Sequence, residues 1–365
     1  MHEHEEGGAR FFADSRSVVS ADMGVFYNPV MRENRDASLL VLSWLFSERT
    51  PRRLCFPLAA SGVRPLRMLE ELDVPACEVF INDHDQRAVG AARSSLLLNE
   101  RASSWSGSLS FSNVSAQSLL ASRRFDYIEI DPFGSPLEFL DAALQSVTHK
   151  GVIAVTATDA AALCGTYPKT GLRKYHAFTK RSPLMHEHAV RILAHVVERT
   201  AARYGKAARI ILAVAHLHYL KLFFEVTHSR SDAHALVRDA EYWSIDDTGY
   251  TLERRTLVHG RSGGMIGPLS AQPLSDRDLI AHAQVAGAQL SEGFRATLAL
   301  IGEEARVEGS AIDLHALASR LALASVPKTA AVIERLGCER AVRTQFCETA
   351  IRTSAPYDEI CEAMR

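Results

Sequence analysis

The sequence predicts an α/β protein whose larger part is a mostly parallel, doubly wound sheet. The first observation is a series of short apolar segments separated by stretches with helical patterning. These segments occupy residues 53–58, 77–82, 109–114, 125–130 and 151–157. Strands that alternate with helices form parallel units, and such sheets bind ligands beyond the carboxyl ends of their strands. The second observation is a change of texture near residue 228, which predicts a second, smaller α+β domain.

Further elements complete the first predicted domain, residues 1–228. An apolar helical run at 37–47 precedes the first strand, with Asp36 as a candidate cap. A long helix is expected over about 184–204. The apolar stretches 209–215 and 217–227 then predict a pair of strands that closes the sheet. Because His216, His218 and Lys221 interrupt this apolar region, strands are favoured over a membrane span.

The second predicted domain, residues 229–365, contains a winged-helix-like part. Its beginning, up to about residue 276, is polar and is expected to be loop-rich with a few strands. Helices are predicted over 276–290, 292–303 and 312–323. Residues 311–337 have the pattern helix, turn, helix, with Pro327 and Gly337 at the boundaries of the second helix. Residues 340–356 are expected to form a two-stranded wing, which either grips a nucleic acid or only stabilises the fold.

The bulk composition excludes several classes of protein. The formal net charge is -2, so any nucleic-acid binding must depend on a local basic patch. The six cysteines are scattered and contain no C-x-x-C pair, which argues against a disulfide framework and a zinc site. The polar start has no signal-peptide pattern. A cytoplasmic protein with free thiols and no metal is therefore expected, and the oligomeric state is not predicted.

Two turns indicate a nucleoside cofactor. The small residues 59–62 follow the first strand, where they permit close backbone approach, although a plain tight connection fits equally well. Asp83 ends the second strand, a position from which a carboxylate binds a ribose diol; the alternative is a turn residue beside a helix cap at Asp85. Because the G-x-G-x-x-G phosphate loop is absent, the pattern favours S-adenosylmethionine over a dinucleotide.

The fourth strand ends in Asp131, Pro132, Phe133 and Gly134, a combination that a plain turn does not require. An exocyclic base amine is a poor nucleophile because its lone pair is delocalised into the ring. A carboxylate and a carbonyl that accept its two protons would localise that lone pair and orient it. Pro132 fixes the carbonyl angle, and Phe133 offers a stacking face. The alternative is an ordinary Asp-Pro turn with a core phenylalanine.

Residues 167–181 form a basic segment without acidic residues, and it is the candidate RNA contact. Cations suit phosphate and aromatic rings suit unstacked bases, whereas a charge run alone more often forms a solvated loop. The cations are Lys169, Arg173, Lys174, Lys180 and Arg181, and the interleaved rings are Tyr167, Tyr175 and Phe178.

Several motifs together resemble one family. They are VFYNPVMRENRD (25–36), AASGVR (59–64), ND (82–83), DPFGSPLEFLDAA (131–143), TATDAAALCGTYPKTGLRKY (156–175), GPL (267–269), DLHALA (313–318) and IRTSA (351–355). In this order they resemble the tRNA (guanosine-26-N2) dimethyltransferases, especially the archaeal form. The resemblance implies a class I methyltransferase domain and a family-specific C-terminal domain that contacts tRNA. It also implies transfer of one or two methyl groups from S-adenosylmethionine to N2 of guanosine 26.

The resemblance also implies roles for individual residues. Catalysis would involve Asp131, Pro132 and Phe133. Cofactor contacts would come from Arg35, Arg64 and Asp83, with Ser115 and Ala116 against the adenine. Independently of the resemblance, we predict substrate contacts from Phe26 and Asn28 and, in the basic segment, from Tyr167, Lys169, Arg173 and Lys174.

The sequence departs from the family pattern at the cofactor side. Phe56 stands where an acidic residue is usual, and Ser115-Ala116-Gln117 replaces Asp-Ala-Asn. Two carboxylates of the expected pocket are thus missing. Two alternatives to the methyltransferase follow: a tRNA-binding relative with impaired catalysis, and an amino-methyltransferase that acts on another nucleic acid.

Overall fold

The protein is described by a computed structural model over residues 1–14, 24–216, 218–245, 251–255, 264–286 and 290–365. Its strands are β1 His2–Glu6, β2 Ala9–Ala13, β3 Arg53–Phe56, β4 Glu78–Asn82, β5 Ser108–Ser112, β6 Phe125–Ile130, β7 Val147–Ala157, β8 Ala207–His216, β9 Tyr219–Thr227, β10 Glu241–Ile245, β11 Thr251–Arg255, β12 Met265–Leu269, β13 Ser310–Asp313, β14 Ala341–Thr344 and β15 Cys347–Thr353.

The helices lie between these strands, with a short 3-10 helix at Pro29–Met31. They are α1 Arg32–Glu48, α2 Val63–Glu71, α3 Gln86–Leu96, α4 Glu100–Ser104, α5 Ala116–Ser122, α6 Leu137–Ser146, α7 Ala160–Leu163, α8 Pro168–Tyr175, α9 Met185–Ala202, α10 Arg230–Arg238, α11 Arg277–Ala286, α12 Glu292–Glu304, α13 Leu314–Arg320, α14 Thr329–Leu336 and α15 Tyr357–Ala363. No helix in the described ranges is both long and apolar enough to cross a membrane.

The main sheet has seven strands in the order β5-β4-β3-β6-β7-β9-β8. The pairs from β5 to β7 are parallel, and the order reverses between β3 and β6. Tyr127, Ile128 and Ile130 of β6 are fully buried, as expected for a strand with both faces of its sheet covered. The predicted α/β class and the seven predicted strands are confirmed. The order reversal fixes where a ligand crevice lies, beyond the carboxyl ends of β3 and β6.

Two features of the N-terminal region were not predicted. The β1–β2 hairpin turns at Gly7-Gly8, and β2 packs against α2 and α3. Helix α1 begins at Arg32, so the prediction of Asp36 as its cap is wrong. Asp36 lies inside the helix, buried, with Oδ1 2.8 Å from Nη1 of Arg67. A buried arginine on a neighbouring helix, which the local pattern does not show, explains this acidic residue.

The C-terminal part contains two small antiparallel sheets. One has the order β11-β10-β12 and the other β13-β15-β14. The predicted helix-turn-helix is confirmed as α13 and α14, and β14 and β15 form the predicted wing. Leu314, Leu317 and Val332 belong to the core under these elements. Helix α10 was not predicted, because it lies in the polar segment that was expected to be loop-rich, and only Ala233 among its residues is buried.

The described chain divides into two compact units. The first comprises Met1–Ala157, Phe223–His228 and Ala281–Arg295. The second comprises Thr158–Leu222, Ser229–Ile280 and Ala296–Arg365. The predicted domain boundary after residue 228 coincides with the end of one segment of the first unit, and it remains a prediction.

Candidate active site at the carboxyl ends of the strands

The turn after β3 is closed by the carboxylate of Asp83. The Ala60 amide donates to Oδ2 of Asp83 over 2.8 Å, and the Asp85 amide donates to Oδ1 over 3.0 Å. Gly62 has φ +74, and a Cβ there would lie 2.7 Å from that of Ala92, so glycine is required. Asp85 is the cap of α3, accepting from the Arg87 amide over 2.8 Å. Asp83, the residue predicted to bind a ribose, therefore also holds the backbone of two turns in place.

Asn82 joins three strand ends. Its Nδ2 donates to the carbonyls of Pro57 (3.0 Å) and Val114 (2.9 Å). Its Oδ1 accepts from the Ser112 hydroxyl over 2.7 Å and from the Val114 amide over 3.2 Å. These four bonds satisfy the whole hydrogen-bonding capacity of the Asn82 side chain, which has no access to water because it is fully buried. The loops after β3 and β5 are thus held at fixed positions on either side of β4.

Ser115 and Ala116 lie at the start of α5. The Ser115 hydroxyl accepts from the Ser118 amide over 3.2 Å, so it caps the helix, and Ala116 is buried. Capping is a sufficient structural reason for a serine at this position. The predicted adenine contact at these residues remains a prediction.

Asp131 follows β6 directly, and Arg64 of α2 binds its carboxylate. Nη2 of Arg64 donates to Oδ2 of Asp131 and to Oδ1 of Asn34, the latter over 2.9 Å. Nη1 donates to the Ser38 hydroxyl over 2.7 Å and lies 3.6 Å from Glu129. Burial lowers the pKa of the Arg64 guanidinium, but Glu129 and Asp131 outweigh burial and raise it. The predicted catalytic carboxylate therefore binds a guanidinium, that of Arg64, which remains positively charged.

Phe133 and Phe26 form an aromatic pair beside this carboxylate. Their ring centroids are 4.3 Å apart at an interplanar angle of 80°, an edge-to-face contact. Phe133 is 56% exposed, so more than half of the side chain is accessible to a stacking partner. Gly134 follows with φ +85, and no atom of the described residues lies within 4 Å of a Cβ built there. The structure thus favours the stacking interpretation of Phe133 over a core phenylalanine.

Arg35 is held by Glu6, a residue that the sequence reasoning missed. Nε of Arg35 donates to Oε1 of Glu6 over 2.6 Å, Nη2 donates to Oε2, and Nη2 also donates to the Asn28 carbonyl over 3.0 Å. Asn28 itself caps the short 3-10 helix through the Val30 amide (3.0 Å). The sequence around Glu6 does not indicate its pairing with Arg35, which is 29 residues away; the one local feature is the Gly-Gly turn that follows Glu6.

The basic segment of the second unit forms a helix and its C-terminal extension. Tyr167 stands at the start of α8, and it is exposed together with Lys169 and Arg173. Lys174 is exposed and its Nζ lies 3.3 Å from Oδ2 of Asp159. Tyr175 is buried, so its prediction as a stacking ring is wrong; its hydroxyl bonds Asp159, a partner that the local pattern does not reveal.

The extension of α8 is attached to β12. The Phe178 amide donates to the Gly267 carbonyl over 2.8 Å, and the Gly267 amide donates back over 3.0 Å. Gly267 has φ +132, and a Cβ there would lie 2.8 Å from the Glu241 carbonyl oxygen. The GPL motif at 267–269 thus supports the segment that exposes Phe178.

Comparison with known proteins identifies the family. Residues 7–365 match the family described as N2,N2-dimethylguanosine tRNA methyltransferase. The chain belongs to this family. A tRNA (guanine(26)-N(2))-dimethyltransferase of Thermococcus kodakarensis is 35% identical over 99% of this chain and 98% of the relative. A tRNA (guanine(26)-N(2)/guanine(27)-N(2))-dimethyltransferase of Aquifex aeolicus is 30% identical over 99% of this chain and 95% of the relative.

A solved structure extends the likeness to the whole fold. Trm1 from Pyrococcus horikoshii in complex with S-adenosyl-L-methionine is 30% identical, with a TM-score of 0.87 and 100% coverage of both chains. The class I methyltransferase fold that the sequence predicts is therefore confirmed for this family member.

The donor and acceptor groups at the crevice fit S-adenosylmethionine. The Asp83 side chain retains 10% exposure. Oδ2 accepts one backbone amide, and Oδ1 accepts one backbone amide and lies 3.1 Å from Nδ1 of His84, so the carboxylate still has lone pairs for ribose hydroxyls. Phe56, which replaces the usual acidic residue of the family, is buried, with its ring centroid 6.0 Å from that of Tyr127. The end of β4 thus carries a carboxylate, whereas a buried aromatic ring occupies the corresponding position at the end of β3.

Proposed function

We propose that this protein transfers methyl groups from S-adenosylmethionine to the exocyclic N2 of guanosine 26 in tRNA. One observation carries the proposal: Asp131 follows β6 with its carboxylate on a buried arginine, beside an exposed phenylalanine. Relatives over the full length bear the name of this activity. Bound S-adenosylmethionine supplies an electrophilic methyl group.

The residues of the turn activate and orient the amine. Asp131 accepts a hydrogen bond from one N2 proton and receives the proton that the amine loses. The Pro132 carbonyl accepts the other hydrogen bond, and Phe133 stacks on the guanine. The Arg64 guanidinium binds the Asp131 carboxylate and fixes its orientation, so the lone pair is directed before reaction.

For the cofactor, we propose contacts from Arg35, Arg64, Asp83, Ser115 and Ala116. Asp83 would bind the ribose, and residues 115 and 116 would lie against the adenine. Arg35 and Arg64 already bind Glu6 and Asp131, so each would act on the cofactor from a fixed position.

For tRNA, we propose contacts from Phe26 and Asn28 near the target base, and from Tyr167, Lys169, Arg173 and Lys174 along the backbone. Residues 1–228 would form the methyltransferase domain, and residues 229–365 a domain that grips the tRNA body. The reaction would take place in the cytoplasm, where the substrate is.

The test is methyl incorporation from labelled cofactor into an unmodified tRNA transcript, followed by mapping of the modified nucleotide. We expect label at guanosine 26 and none in a transcript with adenosine at that position. Asp131→Asn should lower kcat about 10³-fold, because it removes the charge but keeps the shape. The control is Asp126→Asn at the opposite end of β6, where the carboxylate accepts from the amides of Arg52 (2.7 Å) and Arg53 (3.0 Å).

Three other outcomes would contradict the proposal. Full activity of Asp131→Asn would remove the assigned mechanism. Tight tRNA binding without calorimetric binding of S-adenosylhomocysteine would favour the impaired relative. Label at a different nucleotide, or in another nucleic acid only, would favour an amino-methyltransferase with another target.

A further inference from the structure

The N-terminal hairpin carries a buried carboxylate with an unusually complete set of partners. Glu6 is the last residue of β1 and is 4% exposed. It binds the guanidinium of Arg35 through both oxygens, Nη1 of Arg67 over 2.9 Å, and the Tyr27 hydroxyl over 2.9 Å. A buried carboxylate is costly unless charged and polar donors surround it, as they do here.

The protonation states in this cluster are fixed. Burial raises the pKa of Glu6, but the hydrogen bonds and charges of Arg35, together with Arg67, outweigh burial and lower it. Burial and the Glu6 charge raise the pKa of Tyr27 to about 12. At neutral pH the carboxylate is therefore an anion, and the phenol remains a donor to it.

A short series of contacts leads from this cluster to the base-stacking pair. Cζ of Arg35 lies 5.2 Å from the Tyr27 ring centroid, and its Nη2 donates to the Asn28 carbonyl. Both groups that Arg35 contacts here belong to the segment Phe26-Tyr27-Asn28. Phe26 directly precedes Tyr27. Its ring therefore reaches Phe133 from a segment that Glu6 holds at the Tyr27 hydroxyl and Arg35 holds at the Asn28 carbonyl.

We propose that Glu6 is a positioning residue for methyl transfer, which acts through Tyr27 and Arg35 on the Phe26–Phe133 pair. Its role rests on the proposed function, since the target base must stack on Phe133. The hairpin is then part of the substrate site although Glu6 is itself enclosed.

The experiment uses the full-length protein and a tRNA with 2-aminopurine at position 26, whose fluorescence is quenched by stacking. Glu6→Gln should reduce this quenching and lower kcat/KM for tRNA about 10- to 100-fold, because small misplacements of a reacting group are costly. Tyr27→Phe removes a single donor and should lower kcat/KM about fivefold. Affinity for S-adenosylhomocysteine, measured by calorimetry, reports separately on Arg35.

The matched control is Glu71→Gln. The side chain of Glu71 is also enclosed, but its partners are Nε of Arg67, over 2.6 Å, and the Gly8 amide, over 3.1 Å, rather than Tyr27 and Arg35. It should lower the Tm yet retain quenching and activity at a temperature well below that Tm.

Equal quenching by wild type and Glu6→Gln would overturn the inference. Equal losses of quenching and of kcat/KM in Glu6→Gln and Glu71→Gln would also overturn it. If Glu6→Gln does not fold, wild-type activity in Tyr27→Phe overturns it alone. A wild type that binds the tRNA without quenching would instead contradict the proposed stacking function itself.

Discussion

The arginines near β3 and β6 and the cations on α8 have opposite surroundings. Arg35, Arg64 and Arg67 are all buried, and each binds a carboxylate of the first unit. Lys169 and Arg173 of the second unit are exposed on a helix that has no acidic residue. The first set organises the protein's own groups, whereas the second is available to phosphates. Cationic side chains thus position other groups of the protein in the first unit, whereas those on α8 are suited to binding an external phosphate.

The largest effect should come from the buried side of this comparison. Arg64→Ala would remove the cation beside Asp131 and Glu129, so kcat should fall about 10²- to 10³-fold. Loss of one partner of a buried pair should also cost about 3–5 kcal/mol in the free energy of unfolding. Steady-state kinetics measure the first effect, and urea denaturation measures the second.

Arg53→Ala is the control for that variant. Arg53 forms a partly exposed pair with Glu78, Nε to Oε2, over 3.1 Å, and such pairs contribute only about 0–1 kcal/mol. If Arg64→Ala were as mild as Arg53→Ala, the buried arginine would not be a positioning group.

An intermediate effect is expected at the exposed ring of the turn after β6. Phe133→Ala should lower kcat/KM for tRNA about 10-fold or more, since stacking on one base contributes about 1–3 kcal/mol. The Tm should hardly change, because more than half of the side chain is exposed. Phe133→Tyr keeps the aromatic face and should retain most activity; equal losses in both variants would exclude stacking as the cause.

The smallest effect should come from the exposed cations. Lys169→Ala combined with Arg173→Ala should weaken tRNA binding several-fold and reduce the slope of log K against log salt by about 1 for each phosphate that is no longer neutralised. Binding of S-adenosylhomocysteine should be unchanged. The control is Arg124→Ala, an exposed arginine at the amino end of β6. An unaltered salt slope in the double variant would mean that α8 is only a solvated face.

The sequence predicted the fold and the chemistry where the signal is local. The strand ends at Asp83 and Asp131 and the wing of the C-terminal part depend on turns and periodicity within a few residues. The partners Glu6 and Asn34 were missed because they meet Arg35 and Arg64 through tertiary packing. Tyr175 was misinterpreted for the same reason, since its burial and the bond of its hydroxyl to Asp159 arise from tertiary packing.

Asn82 has a consequence for which side chain its position can accept. Aspartate has the same size and shape, and it differs by one atom. In aspartate an oxygen would take the place of Nδ2 and its two hydrogens. This oxygen would face the carbonyl oxygens of Pro57 and Val114, which lie 3.0 and 2.9 Å from Nδ2 of Asn82. Two attractions would become repulsions without any change in volume. The identity of this residue is therefore set by the direction of its dipoles, and a steric description of the loop could not distinguish the two.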